Sequence, residues 1–536
     1  MTYCRSLITW VAILLLFPTA GFAEVAEVID DARIKDSCTI ITVGRLASAD
    51  GSVMTSHTCD SNYRTWIEFV PGGTHKPGEK TAIYKGSMHN FFAGDKRVIK
   101  KLGEIPQVPR TFRFLNTAYP CMNEHQLGMG ESTFNGRKEL KSDKGIFQIE
   151  ELQRIALERC RTAREAIRLI GRLIEEYGYC DSGECITIID PNEAWQMEIL
   201  GPGKDKLGGV WAAQRIPDDH VGVSANISRI AELDLDNPDY FMASENVFKL
   251  AEKNKWWDPK KEPFKFYKAY GDSYSGKPFT IREYWVFSRL APSLNLDFNA
   301  DELPFSVKPE KPVSLQKMVE LFKADYEGSE YDMTRNLMVT QKDRKSGEEE
   351  TVKSPAVNAW MSRHMRTLLN TLKEDVVVRH RPIAVEYCAY HTIVQARGWL
   401  PDDLGGRVWF GLDNPAMTVK VPLYMGMEAV LPSYKVGSQE KFRRDSATWA
   451  FRRVAKLAMI RWDLCRELVE KTMREYEQKA DREVPRLEAD YMELYPTDPR
   501  AANRLLTQYS HQFADALVNR YWDLGDHLWN FYARGF

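Results

Sequence analysis

From residue 38 onward the chain falls into short runs of β-branched and apolar residues divided by turn chemistry. Cys38-Thr39-Ile40-Ile41-Thr42-Val43 is the first run, Asp50-Gly51 marks a turn, and Ser52-Val53-Met54-Thr55-Ser56-His57-Thr58 is the second. Two such runs around Asp-Gly predict an antiparallel hairpin. Its geometry sets the start of the first strand beside the end of the second, at His57-Thr58-Cys59-Asp60. A further strand-like region covers 108–134. Over 146–178 the period changes: Leu152, Ile155, Ile167, Leu169, Ile170, Leu173 and Ile174 recur at three- and four-residue steps. That spacing predicts one amphipathic helix stopping at Gly178. Strands follow at 185–189 and 194–200, split by the turn Asp190-Pro191-Asn192-Glu193, then at 208–215 and 221–230. Residues 255–350 are less regular and read as a helical insertion or a lid, with a charged surface loop at 345–350. Strands return at 387–396, 407–412 and 418–422. From 443 the pattern is helical, with Ala450, Val454, Leu457 and Ile460 on one stripe. Pro496-Thr497-Asp498-Pro499 breaks it, because two prolines so close cannot both sit inside a regular helix, and a last helix spans about 501–532. Sheet, helix and sheet again predict a layered α+β fold.

The first 23 residues read differently. Arg5 precedes an apolar run at 7–17 that is too short to span a bilayer comfortably, and Ala20-Gly21-Phe22-Ala23 offers small residues for a signal peptidase. Residues 1–23 are therefore expected to be a secretory signal and 24–37, acidic and polar, a linker or propeptide. The expected location is the periplasm or the exterior, with no stable membrane insertion once the signal is gone. Over the whole chain, 43% apolar and 28% charged content is ordinary for a globular protein, and a formal net charge of −2 over 536 residues gives no reason to expect a nucleic-acid partner.

Export bears on the cysteines. Nine are present, and Cys4 leaves with the signal. The other eight are too few for a disulfide scaffold, although Cys180 and Cys185 are spaced for a small staple in an oxidising compartment. Cys180-x4-Cys185 lacks a matching Cys/His pair, and there is no His-Glu-x-x-His, so no metal and no organic cofactor is expected.

Chemistry concentrates on Cys38. A thiol attacks amides as thiolate and needs a base or cation nearby. Cutting Ser37–Cys38 would create an α-amine, of reference pKa near 8, on the residue that carries the thiol. The plain alternative is a cysteine acting as a small buried hydrophobe at a strand start.

Several stretches add to this reading: Cys38-Thr39-Ile40-Ile41-Thr42-Val43-Gly44, Ala47-Ser48-Ala49-Asp50-Gly51-Ser52, Asn123-Glu124 with Gly128-Met129-Gly130-Glu131-Ser132, Asp190-Pro191 with Glu193-Ala194-Trp195, Trp211-Ala212-Ala213-Gln214-Arg215, Ser224-Ala225-Asn226, and Gln395-Ala396-Arg397-Gly398-Trp399-Leu400-Pro401-Asp402 leading to Gly405-Gly406-Arg407-Val408-Trp409. Together and in this order they resemble the C69 peptidase family (formerly U34), dipeptidases of the N-terminal-nucleophile hydrolase superfamily. The resemblance implies an αββα four-layer sandwich over 38–442, with an insertion around 255–355 and a helical region, 443–536, packed on it. It implies Cys38 as nucleophile with its own freed amine as base, and Asp60 orienting the ammonium or thiol. Asn123 would supply an oxyanion donor, Asn226 would orient the cysteine, and Arg397 would be a cation beside the thiolate. One departure stands out: many members have Arg-Asn-Glu-Asp where this chain has His57-Thr58-Cys59-Asp60, and a neutral imidazole stabilises a thiolate less than a guanidinium.

The expected activity is hydrolysis of dipeptides or short peptides after self-cleavage at Ser37–Cys38, with small peptides as partners and a homo-oligomer left open. The alternatives are a hydrolase or acyltransferase for non-peptide linear amides, an exported binding protein that keeps its N-terminal extension, and a Cys-His protease built on His57 or His391.

Overall fold

Ser37–Val43 and Val53–Asp60 pair antiparallel, with Cys38 opposite Cys59 and Ser37 opposite Asp60. The expected hairpin is there, with residues 44–52 connecting its strands. The loop is pinned at Gly44, where a Cβ would sit 2.4 Å from the Asp218 carbonyl oxygen, and it turns at Gly51, whose φ is +80°. These are features of a computed structural model that describes residues 37–90, 92, 95–271, 277–343, 346–437 and 441–533. The expected signal at 1–23 lies outside the described residues, as does the segment 24–37 apart from Ser37.

The hairpin sits in a seven-stranded antiparallel sheet. From edge to edge its order is Ser306–Val307, Val221–Ser224, Ser37–Val43, Val53–Asp60, Cys388–Ala396, Arg407–Leu412 and Val421–Tyr424. A second, eight-stranded sheet runs Phe241–Ala243, Val210–Ile216, Ala194–Leu200, Gly183–Ile189, Gly128–Phe134, Met122–Asn123, Phe114–Asn116 and Glu68–Val70. Gly128–Phe134 lies against the hairpin of the first sheet. Gly130 is the point of closest approach, because a Cβ there would come within 2.4 Å of the Ser56 carbonyl oxygen. Strands at this junction are buried on both faces although they carry many polar residues, Thr55, Ser56, His57, Thr58 and Asp60 among them.

Helices cover the outer faces. Ile149–Arg159 and Ala163–Tyr177 pack on the eight-stranded sheet, and Ala447–Ala458 and Pro499–Ala533 on the seven-stranded one. The result is the four-layer αββα sandwich. Where the sequence predicts one helix over 146–178 there are two. Thr162 ends the run by capping the second, accepting from the Glu165 N–H while the Glu165 carboxylate accepts from the Arg161 N–H. That Thr-x-x-Glu pattern is a helix-start signature that the apolar period alone hides. Gly178 stops the second helix as expected, at φ +76°.

The middle third belongs to the sandwich in part. Ser306–Val307 adds an edge strand, and the helix Ile281–Leu290 packs on Val221–Ser224. Of the segment expected as a surface loop, 345–350, residues 346–348 are an exposed connection and Glu349 starts the strand Glu349–Lys353, which pairs with Met338–Lys342. In the tail, Trp462–Leu494 precedes the proline break and sends Glu488 to the buried guanidinium groups of Arg397 and Arg407. Among the described residues no helix is long and apolar enough to cross a membrane, and no two cysteines are joined. Cys185 is packed in the apolar cluster with Phe134 and Leu200, and the Cys180 thiol donates to the Phe147 carbonyl, so the expected staple does not form.

Candidate active site

Cys38 occupies the second position of its strand and is fully buried. On one side Val53–Asp60 continues past it. On the other, pairing with Val221–Ser224 ends at Ile40 opposite Ser224. The chain then turns away at Asn226, whose φ of 60° places it in the left-handed region that asparagine tolerates better than most residues. A side chain thus takes over from the ladder: Asn226 Oδ1 accepts the Cys38 N–H at 3.0 Å. Asn226 is itself fixed from the facing sheet, by its N–H donating to Ser132 Oγ at 2.9 Å and its Nδ2 donating to the Thr133 carbonyl at 2.7 Å.

Arg282, the second residue of the Ile281–Leu290 helix, closes the cage. It donates to the Cys38 carbonyl at 2.7 Å, Thr39 Oγ1 at 3.1 Å, Asn226 Oδ1 at 3.0 Å and the Ala225 carbonyl at 2.7 Å. The helix start is set by a capping box between Thr280 and Glu283. Burial, with the neighbouring Arg381 charge, pulls the Arg282 guanidinium down to about 10, which leaves it charged at neutral pH. Arg381 serves the other side. Its Nη2 donates to Asp60 Oδ2 at 2.6 Å and to Ser37 Oγ at 2.8 Å. Thr58 also donates to Asp60 Oδ2, whereas Asp60 Oδ1 is buried without a hydrogen-bond partner.

The sulfur faces acids. Cys38 Sγ lies 3.5 Å from Glu131 Oε2, on the facing strand, and His57 Nε2 lies 3.3 Å from the same oxygen. The His57 ring is wedged edge-on between Tyr119 and Tyr390. Burial first, then the charges of Glu131, Cys59, Asp60 and Glu184, raises the Cys38 thiol well above its ordinary value. Burial would also raise Glu131, but the adjoining His57, Glu184 and Thr133 outweigh it and hold this carboxyl low. Glu184, buried and facing Glu131, is pushed well up and keeps its proton. In the uncut chain Cys38 is therefore a neutral thiol beside one ionised carboxylate.

Of the residues singled out in the sequence, Cys38, Asp60 and Asn226 come together here, and two do not. Asn123 cannot supply the expected oxyanion donor. Its amide donates to the carbonyls of Leu157 and Cys160, both at 2.8 Å, and its oxygen accepts from the N–H groups of His125 and Leu127. Both N–H groups are spent on tying a turn to a helix end. Arg397 follows the far end of Cys388–Ala396, whose other end meets Asp60, about 20 Å along the strand from Cys38. There it pairs with Glu488 and caps the carbonyls of Leu404 and Gly405. The cations at Cys38 are Arg282 and Arg381 instead. Neither stands in a stretch with a legible period, although the capping box at Thr280 marks the helix start that delivers Arg282.

Residues 37–475 match Peptidase family C69. Similar proteins include a "Probable dipeptidase" of Latilactobacillus sakei, 24% identical over 440 residues that make up 78% of this chain and 80% of that protein. A "Probable dipeptidase" of Salmonella dublin is 24% identical over 407 residues, 74% of this chain and 82% of its own. A "Dipeptidase" of Bifidobacterium longum is 24% identical over 456 residues, 78% and 77%. With the match spanning both sheets and every residue of the cage around Cys38, the chain belongs to Peptidase family C69.

Proposed function

We propose that this peptidase cuts its own Ser37–Cys38 bond and then hydrolyses dipeptides or short peptides with Cys38 as N-terminal nucleophile. The observation that carries the reading is the side-chain cage on the Cys38 nitrogen. Asn226 Oδ1 holds that nitrogen at 3.0 Å and is itself held by Arg282, while the sulfur of the same residue faces Glu131. An ordinary strand cysteine has its nitrogen in the ladder. Here it is presented to buried polar groups suited to an amine.

In maturation the Cys38 sulfur attacks the Ser37 carbonyl carbon. The S–C bond forms, the C–N bond breaks, and the thiol proton ends on the freed amine. Water then hydrolyses the thioester and releases the upstream segment. In turnover the α-amine takes the thiol proton, the thiolate attacks the substrate amide, the ammonium protonates the leaving amine, and water resolves the acyl-enzyme. Asn226 orients the amine, Arg282 positions Asn226, and Asp60 offers its unpaired Oδ1 beside the new terminus. Export to the periplasm or the exterior is part of the same proposal, since the maturing segment follows a signal-like run. The dipeptidase names of the relatives favour peptides over non-peptide amides.

A second reading has one observation in its favour. Cys38 and His57 both face Glu131 with their reactive atoms within 4.8 Å, the elements of a Cys-His protease that needs no cut. Intact mass and N-terminal sequencing of the active protein separate the two. The proposal expects a chain beginning at Cys38, a Cys38→Ala variant that stays uncut and inactive, and dipeptide hydrolysis by the processed form. An active protein that retains residues upstream of Cys38 would falsify it.

A further inference from the structure

We propose that Cys38, His57 and Glu131 form a binding site for a zinc-class divalent cation that masks the nucleophile. Their sulfur, ring nitrogen and carboxylate oxygen all lie within 4.8 Å of one another, and all three side chains are buried. Each stands on a strand, Cys38 and His57 on the hairpin of one sheet and Glu131 on the sheet facing it, so rigid elements hold the set.

The spacing is that of co-ligands. Zinc bonds of about 2.0–2.3 Å at tetrahedral angles put a carboxylate oxygen about 3.5 Å from a thiolate sulfur and about 3.3 Å from an imidazole nitrogen. Glu131 Oε2 is 3.5 Å from Cys38 Sγ and 3.3 Å from His57 Nε2. The sulfur–nitrogen edge would close to about 3.6 Å, a shift of little more than about an ångström from the widest separation the cluster allows. Despite its closeness to Glu131, His57 Nε2 makes no hydrogen bond and is buried. Its ion-pair partner is the Glu131 carboxylate, and a metal between the two would give the ring nitrogen the directed bond it lacks.

Charge and chemistry agree. A thiolate and a carboxylate neutralise a divalent ion, so the occupied site buries no net charge. The guanidinium groups of Arg282 and Arg381 are committed to Asn226 and Asp60, and Glu131 is the ionised acid beside the sulfur. Sulfur with imidazole selects zinc over magnesium or calcium. On binding, the Cys38 S–H bond gives way to a sulfur–metal bond and the proton leaves to solvent, so the sulfur can no longer attack a carbonyl. The guanidinium that the resemblance leads one to expect at position 57 has no lone pair to offer, so the site depends on His57. No metal motif is visible in the sequence because the three ligands come from separate strands. The masking rests on Cys38 being the nucleophile, whereas the binding does not.

Full-length protein stripped with chelator and titrated with cobalt(II), then competed with zinc, tests the binding without substrate. One equivalent is expected, with a thiolate-to-cobalt charge-transfer band that disappears in Cys38→Ser. Changes to outer-shell groups already cost about 10–100-fold in metal affinity, so His57→Gln and Glu131→Gln should each weaken binding by at least about 100-fold. X-ray absorption on the zinc-loaded wild type needs no variant and should show one sulfur with imidazole. No binding, a band that survives Cys38→Ser, a shell of two sulfurs or none, or unchanged affinity in both folded glutamine variants overturns the site. A protein that binds zinc this way yet, once processed and stripped of metal, leaves dipeptides intact would sink the peptidase reading alone. One that cleaves them from Cys38 but binds no metal would sink this one alone.

Discussion

Replacing Arg282 by methionine tests whether the cage around Cys38 acts mainly on stability or on chemistry. The guanidinium donates to two carbonyls, of Cys38 and Ala225, and to the side-chain oxygens of Thr39 and Asn226. The Thr39 hydroxyl can rotate, and Asn226 Oδ1 keeps the Cys38 N–H. The two carbonyls lose this donor, at about 1–3 kcal/mol each for a buried polar group left short. Against that stands the cost of burying the charge. Its pKa falls from 12.5 to about 10, and at about 1.4 kcal/mol per unit removing the charge returns about 3 kcal/mol. This penalty applies at every pH below 10, so neutral buffers see all of it. The two effects largely offset, and Arg282→Met should lie within about 3 kcal/mol of wild-type stability in urea titration. Activity should fall further. Asn226 keeps its Ser132 and Thr133 bonds but loses the guanidinium that fixes its Oδ1 against the Cys38 nitrogen, and a displacement of about 1 Å at a reacting group costs on the order of 100-fold. The expected result is a folded protein whose kcat/KM on a dipeptide is about 100-fold down, with Arg282→Lys in between. A folded Arg282→Met variant within about threefold of wild-type kcat/KM would refute the positioning role.

Three further outcomes follow from the same geometry. In a chain still carrying residues upstream of Cys38, burial and the surrounding acids hold the thiol up, so its alkylation, followed by peptide mapping, should keep rising about tenfold per pH unit past the ordinary thiol value of about 8.5; a plateau at that value contradicts the neutral-thiol picture. Asn123→Ala should cost about 2–4 kcal/mol of stability through its lost buried hydrogen bonds yet keep kcat/KM per folded molecule, and a folded variant with a 100-fold activity loss, by the order of magnitude of an oxyanion donor, would restore the role the sequence suggested. Lys420 is buried, and burial followed by the Lys323 charge lowers its pKa to about 7. The unfolded chain, with a value of about 10.4, then binds more protons between those limits, so the group's penalty of about 4 kcal/mol at pH 7 fades as pH rises toward 10. Lys420→Met should be more stable than wild type at pH 7 and lose that advantage by about pH 10, and equal urea midpoints at pH 7 would contradict it.

What the sequence made legible was what local pattern controls. The hairpin could be read from two β-rich runs around Asp50-Gly51, and its pairing puts Asp60 at the strand end beside Cys38. Asn226 was readable only through the resemblance, because its reach to Cys38 depends on a strand ending early and a left-handed backbone. Asn123 and Arg397 show the limit of such transfer. A motif keeps residue types in order, but whether an amide has spare N–H groups, or at which end of a strand an arginine falls, is decided by tertiary contacts. Arg282 and Arg381 lay beyond reach for the converse reason. Arg381 lies in an irregular segment, and Arg282, though on a helix whose start the capping box marks, reaches Cys38 only because that helix packs on Val221–Ser224, which no periodicity records.

The electrostatics around the sulfur bear on why position 57 tolerates histidine. Arg282 and Arg381 approach Cys38 on its carbonyl side and its N-terminal side, and among the described residues neither donates to Sγ. The charges that do bear on the thiol are acidic, and all of them raise its pKa. A thiolate in this setting needs a cation that the uncut chain does not place there. Cleavage before Cys38 would create one on the same residue, a few bonds from the sulfur and already opposite Asn226 Oδ1. With histidine at position 57, the imidazole lies where it could serve as a ligand in the proposed site. On the two proposals made above, histidine at position 57 would leave the thiolate dependent on processing and open to capture by zinc, and exchanging His57 for arginine should relax both dependences together: alkylation of the uncut chain should quicken while cobalt binding is lost. A His57→Arg chain that gains reactivity but still shows the thiolate–cobalt band would separate the two effects and break this link.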